Sequence, residues 1–159
     1  MLELDDIQHI LLTRTPALTG RYVFLSFASG EWGRTWLRAI LPIVQSAATV
    51  GTSAVDRRWV TVAFTCNGLK MLGVEQDAID SFPEAFRQGM AARAEVLGDT
   101  GESSPEHWVD GTARPDLHAI AILFARDDED RGRCEREHEA LLDRLPGVNV
   151  ISSLHLEAS

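Results

Sequence analysis

Five histidines, two cysteines, a run of acids and four tryptophans are the side chains here with the means to do chemistry. His9, His107, His118, His138 and His155 are scattered along the chain, and no His-x-x-x-His, Glu-x-x-His or similar pair is expected to supply two ligands on one face. Each is expected as an isolated core or surface residue. Cys66 and Cys134 form neither a CxxC pair nor a disulfide framework, so reduced, partly buried thiols are expected. The acids at 127–130 lack the spacing of a calcium loop and read as the solvated start of a helix. Gly98-Asp99-Thr100-Gly101 lacks the lysine of a phosphate-binding loop and reads as a turn. Of the tryptophans, Trp36 and Trp59 fall in core patterns, Trp32 lies near Trp36, and Trp108 falls in a loop, where it remains a candidate interface residue.

These residues sit in a chain of 159 residues with 45% hydrophobic and 25% charged content, the profile of one compact domain over 1–159. A net charge of −9 argues against nucleic acid and against an anionic membrane surface. No run of eighteen apolar residues is present. The opening MLELDDIQHILL carries acids where a signal peptide carries basic residues, so a cytoplasmic protein is expected.

The elements that must position these groups follow from periodicity. Residues 1–14 read as a short amphipathic helix. A strand is expected over 21–28, then a helix with Trp36, Leu37, Ile40, Leu41 and Val44 on its buried stripe, kinked or ended by Pro42. Residues 46–53 read as a loop. A second strand covers 59–66. Asn67 is expected to cap a short helix closed by Gly73. A longer helix is expected over 83–97, with Phe82, Phe86, Met90 and Leu97 on its inner face, followed by a loop over 102–116. A third strand over 117–125, a charged helix over 127–145 and a last strand over 148–156 complete the chain. That helix carries Cys134, His138, Leu141, Leu142 and Leu145 as its apolar stripe. The rhythm predicts an α+β ferredoxin-like sandwich: a four-stranded antiparallel sheet with helices on one face. The alternative, a doubly wound parallel sheet, lacks the glycine-rich turn such sheets carry after a strand.

Two segments carry a resemblance. VAFTCNGLKMLGV (62–74) and SFPEAFRQGMAARAEVLGDTGESSPEHW (81–108) resemble successive signatures of the dye-decolourising (DyP-type) haem peroxidases. The second keeps a Phe-Pro, a Phe before a Gly-Met, an Arg-Ala, a Leu-Gly-Asp and a Pro before a Trp, in that order. LELDDIQ (2–8) is similar to the family's opening. The resemblance runs along the whole chain but matches only the first part of the family's length.

It implies two ferredoxin-like domains holding haem b between them, and oxidation of dyes or phenols by hydrogen peroxide. An Asp in a GxxDG motif would shuttle the peroxide proton, an Arg would stabilise the departing oxygen, and a His would ligate the iron. No residue of this chain matches those positions. The nearest string, His107-Trp108-Val109-Asp110-Gly111, has His for the first Gly and precedes the third strand, so Asp110-Gly111 is expected as a turn. The resemblance therefore implies no catalytic or metal-ligating residue here, and no haem bound by this chain alone. The expected partner is the second peroxidase domain or a self-associating copy of this chain, as in a homodimer. Trp108 is the residue left open as haem-side. The alternative function is a free-standing α+β binding or oligomerisation module without enzyme activity. A small haem- or flavin-free oxygenase of the dimeric α/β barrel type is a weaker third reading, with no acid–base pair to specify it.

Overall fold

The computed structural model describes residues 3–12, 19–48, 57–108 and 111–157. Four strands form one sheet: β1 (Thr19–Phe27), β2 (Arg58–Phe64), β3 (Ala119–Ala125) and β4 (Val148–Glu157). Their order is β2-β3-β1-β4, and every neighbouring pair is antiparallel. Helix α1 (Gly30–Ile40) joins β1 to β2, and α6 (Asp128–Leu142) joins β3 to β4. This is the predicted ferredoxin-like arrangement, with residues 65–118 replacing the usual short link between β2 and β3.

The alternation in β3, AIAILFA, sets the two faces of the sheet. Ala119, Ala121, Leu123 and Ala125 are buried on the helix side. They align with Val23 and Leu25 of β1 and with Val60, Val62 and Phe64 of β2. Trp36 and Ile40 of α1, both fully buried, pack onto this face with Cys134 and Leu145. Small residues on the central strand let the helices approach closely. The bulky Ile120, Ile122 and Phe124 point to the other side.

Helix α1 begins at Ser29, whose Oγ accepts from Trp32 N at 3.4 Å. It ends where Pro42 removes a donor, and the chain continues as a 3₁₀ turn over Leu41–Ile43. Leu41, expected on the buried stripe, is therefore carried outward and is 58% exposed. The segment after this turn closes the outer edge of β2. Val44 bridges Val60, and Gln45 Oε1 accepts from Val60 N at 2.7 Å. Gln8 completes the edge: its Oε1 accepts from Val62 N and its Nε2 donates to Val62 O, both at 2.9 Å. An edge strand left open is an aggregation hazard, and two glutamine side chains answer it here.

That role for Gln8 corrects the helix expected over 1–14. The described part is two 3₁₀ turns, Leu4–Asp6 and His9–Leu11, separated by extended Gln8. Residues 1–2 and 13–14 lie outside the described segments. The cap of the next helix is also corrected. Thr65, not Asn67, caps α2 (Cys66–Leu72): its Oγ1 accepts from Gly68 N at 3.0 Å and donates to Leu117 O at 2.6 Å. Asn67 instead donates to Pro115 O at 3.0 Å. Gly73 closes α2 as expected.

The single helix expected over 83–97 is broken. After α3 (Gln76–Ser81) come α4 (Glu84–Gln88), a 3₁₀ turn (Ala91–Arg93) and α5 (Ala94–Leu97). Gly89, with φ of 76° and ψ of 167°, ends α4 in a conformation that other residues rarely adopt. The expected inner face is consequently turned out: Met90 is 64% and Leu97 49% exposed, and the Phe82 ring packs at a tilt beside Phe86 with centroids 4.9 Å apart.

Helix α2 is pressed onto the start of β3. A Cβ at Gly68 would overlap the carbonyl oxygen and carbon of His118, which are backbone and have no room to yield. Gly68→Ala is expected to lower the unfolding free energy by about 3 kcal/mol, an overpacking cost read from the urea midpoint.

Candidate functional site

Placed in the fold, the five histidines do not converge. His118, at the end of the 65–118 connection, is buried. Its Nδ1 accepts from Phe27 N at 2.9 Å and its ring stacks on Phe27 with centroids 5.6 Å apart. Burial holds it neutral, with a pKa below the ordinary histidine value. His9 is buried in the turn beside β2 and is depressed for the same reason. His107 lies exposed on a 3₁₀ turn (Pro105–His107), its Nδ1 3.0 Å from Gly101 O and 3.2 Å from Ser104 Oγ. His138 is buried on α6, and burial followed by the nearby Arg21 charge pushes it down to about 4. His155 is on β4, aligned with Arg21.

Both cysteines are free and buried. Burial raises the Cys134 thiol to about 11, so it is protonated and unreactive at neutral pH. The acids at 127–130 start α6: Asp127 caps it by accepting from Asp130 N at 2.9 Å, and Arg57 pairs with both Asp127 and Asp130. Gly98 ends α5 and Gly101 opens a short 3₁₀ turn, so residues 98–101 are a turn as expected. Trp36 and Trp59 are buried. Trp108 is half-buried, and its indole N–H donates to Ser103 O at 2.8 Å, within its own loop. Asp110 lies outside the described residues; Gly111 has φ of 68° and packs against Ile151.

The expectation that no Glu-x-x-His pair is present is corrected by α6. Glu135 and His138 stand at Glu-x-x-His spacing on α6, a spacing that can present two ligands on one face. The structure separates their roles. Glu135 turns to Arg21, Arg131 and His155 at 3.7–3.9 Å, while His138 is sunk toward the sheet.

A haem would need an axial imidazole opening onto a space large enough for the macrocycle. Among the described residues no three His, Cys, Asp or Glu side chains gather as a metal group. A cavity of about 290 Å³ is lined by Ile43, Gln45, Arg57, Arg58, Cys134 and Glu137 among others, with no histidine. Its arginines are already paired, Arg58 with Glu137 at 2.8 Å. The buried histidines are enclosed in the packed core instead. The described residues do not fit an axial haem site.

What the fold does present is a surface. Three rows cross the sheet on the side away from α1 and α6: Ala63, Ile120, Phe24 and Ser152; Thr61, Ile122, Tyr22 and Leu154; Trp59, Phe124, Gly20 and Leu156. Phe24, Trp59 and Thr61 are buried within it, while Tyr22, Ile120, Ile122, Phe124 and Leu156 stay half-buried and Leu154 exposed. No charged side chain stands in these rows.

A family model described as the DyP dimeric alpha+beta barrel domain matches residues 6–145. The chain belongs to this family. As a DyP domain it also superposes on solved peroxidases. An ancestral D-type dye-decolorizing peroxidase matches with a TM-score of 0.84 and 25% identity, over 99% of this chain and 35% of that one. A dye-decolorizing peroxidase in complex with 2,6-dimethoxyphenol matches at 0.81 and 21% identity, over 100% and 35%. One from Auricularia auricula-judae matches at 0.80 and 21%, over 98% and 34%. The DyP domain thus spans about a third of the length of these peroxidases. A search of curated protein sequences found no match. Among the described residues no helix is long and apolar enough to cross a membrane.

His118 serves the fold by accepting the Phe27 N–H. Replacing it with Leu keeps an apolar side chain against Phe27 but orphans that buried donor. His118→Leu is expected to cost about 1–3 kcal/mol in chemical denaturation.

Proposed function

We propose that this chain acts as the N-terminal domain of a DyP-type haem peroxidase, an enzyme that would oxidise dyes or phenols with hydrogen peroxide. On this reading 1–159 is one domain whose contribution is a wall rather than the catalytic groups. The distal acid and arginine and the proximal histidine match no residue of 1–159. By itself it neither holds haem b in the native manner nor turns over peroxide.

The observation that carries the reading is the large-residue face of the sheet. A protein pays a solvation cost for displaying Ile120, Ile122, Phe124 and Leu154 in contiguous rows without a charge among them. A second peroxidase domain is the partner assigned to that face, and a second copy of this chain is the alternative occupant. The two buried, unpaired thiols accord with a reducing, cytoplasmic setting. Nucleic acid is not among the partners, given the net charge of −9.

Haem titration followed by the Soret band, with dye oxidation measured at each point, tests this. The expected outcome is no saturable one-to-one band and turnover no higher than that of free haem. A stoichiometric five- or six-coordinate haem with peroxide-driven dye turnover would show that this chain is a competent enzyme alone.

A further inference from the structure

Helix α6 is fastened to the sheet in an unusual way. Its sequence, DEDRGRCEREHEALL, has hardly any apolar residues before Leu141. Before Leu141 only Cys134 enters the apolar core, and the side chains that reach from this part to β1 and β4 are charged. Arg21 Nη1 lies 3.1 Å from Glu139 Oε1 and 3.7 Å from Glu135 Oε2, and Arg21 Nη2 donates to Ser153 Oγ at 3.1 Å. Arg131 Nε is 3.9 Å from Glu135 Oε1, and its Nη2 is 3.2 Å from Asp128 Oδ1. His155 Nδ1 stands 3.8 Å from Glu135 Oε1 and 3.3 Å from Arg131 Nη1.

Four buried polar atoms converge on this seam without a hydrogen-bond partner: Arg21 Nε, Arg131 Nε, Glu135 Oε1 and His138 Nε2. His138 itself is only 3% exposed. The groups facing it can be assigned element by element. Strand β1 supplies Arg21 and β4 supplies His155. Strand β3 supplies none, since AIAILFA has no titratable side chain. Strand β2 supplies Arg58, beyond Cys134 and already paired with Glu137. Helix α6 itself supplies Arg131, Cys134, Glu135 and Glu139. Glu139 favours an added proton on His138, but no carboxylate forms an ion pair with that imidazole, and Asp128, Glu135 and Glu139 are already engaged by Arg21 and Arg131.

We propose that residues 128–138 of α6 form an acid-operated latch, in which protonation of His138 beside Arg21 releases this part of the helix from β1 and β4. Leu141, Leu142 and Leu145, packed in the core, keep the far end of the helix and the sheet in place. The pH window follows from the direction of the shift. His138 is depressed in the folded protein to about 4 from an ordinary value of 6.5. The unfolded or released form therefore binds the proton first. Docking is at full strength above pH 6.5 and is lost as pH falls toward about 4.

Amide hydrogen exchange, corrected for intrinsic rates, reads this directly. Between pH 7 and pH 5 the protection of residues 131–138 is expected to fall about tenfold more than that of β3. His138→Gln is expected to remove that difference. Uniform loss across α6 and β3, or an unchanged difference in His138→Gln, would overturn the latch. Should His138→Gln fail to fold, the imidazole of His138 in the unaltered chain decides by NMR. Titration coincident with loss of α6 protection supports the latch, and complete titration with α6 still protected refutes it.

Discussion

The alternation of small and large side chains along β3 is the constraint from which the rest of this fold follows. Because side chains on a strand point to opposite faces, Ala119, Ala121 and Ala125 commit one face to close helix packing. The same alternation commits Ile120, Ile122 and Phe124 to the other face. A one-residue slip of register would exchange the two and leave α1 no room for Trp36. The helices and the apolar rows are thus two consequences of one pattern, and the docking role assigned to those rows rests on it.

The two helices on the covered face are held by different forces. Helix α1 buries Trp36 and Ile40 completely, a conventional apolar attachment. Helix α6 leans on Arg21, Arg57, Arg58 and Arg131 and their carboxylate partners, with apolar anchorage gathered near Leu141, Leu142 and Leu145. Exposed ion pairs add little stability, so the N-terminal part of α6 is the less secure half. The histidines belong to the same story. His118 and His138 serve or burden the packing of a domain, which explains why candidate ligands in the sequence do not assemble into a site.

The four strands, α1 and α6 were legible because their signals are local and agree: alternation in AIAILFA, an acid-led start to α6, and Pro42 at the end of α1. The errors arise where a tertiary partner overrules a local pattern. Gln8 abandons the helix predicted for 1–14 because the edge of β2 offers its side chain two backbone bonds. Thr65 displaces Asn67 as a cap because its hydroxyl can also reach Leu117 O. The pattern through Phe82, Phe86, Met90 and Leu97 looked helical throughout, but Gly89 rotates its two halves apart. Of the candidate site, the scatter of histidines was readable, whereas the uncharged rows across the outer face of the sheet needed the strand register.

The central claim is that the large-residue face serves a partner rather than this domain's own core. Light scattering and urea unfolding of the double variant Ile120→Lys, Ile122→Lys test it together. If the face is kept for a partner, the variant unfolds within about 1 kcal/mol of the unaltered chain and loses any self-association that the unaltered chain shows. A variant destabilised by about 3 kcal/mol or more, as for a core residue, would contradict it.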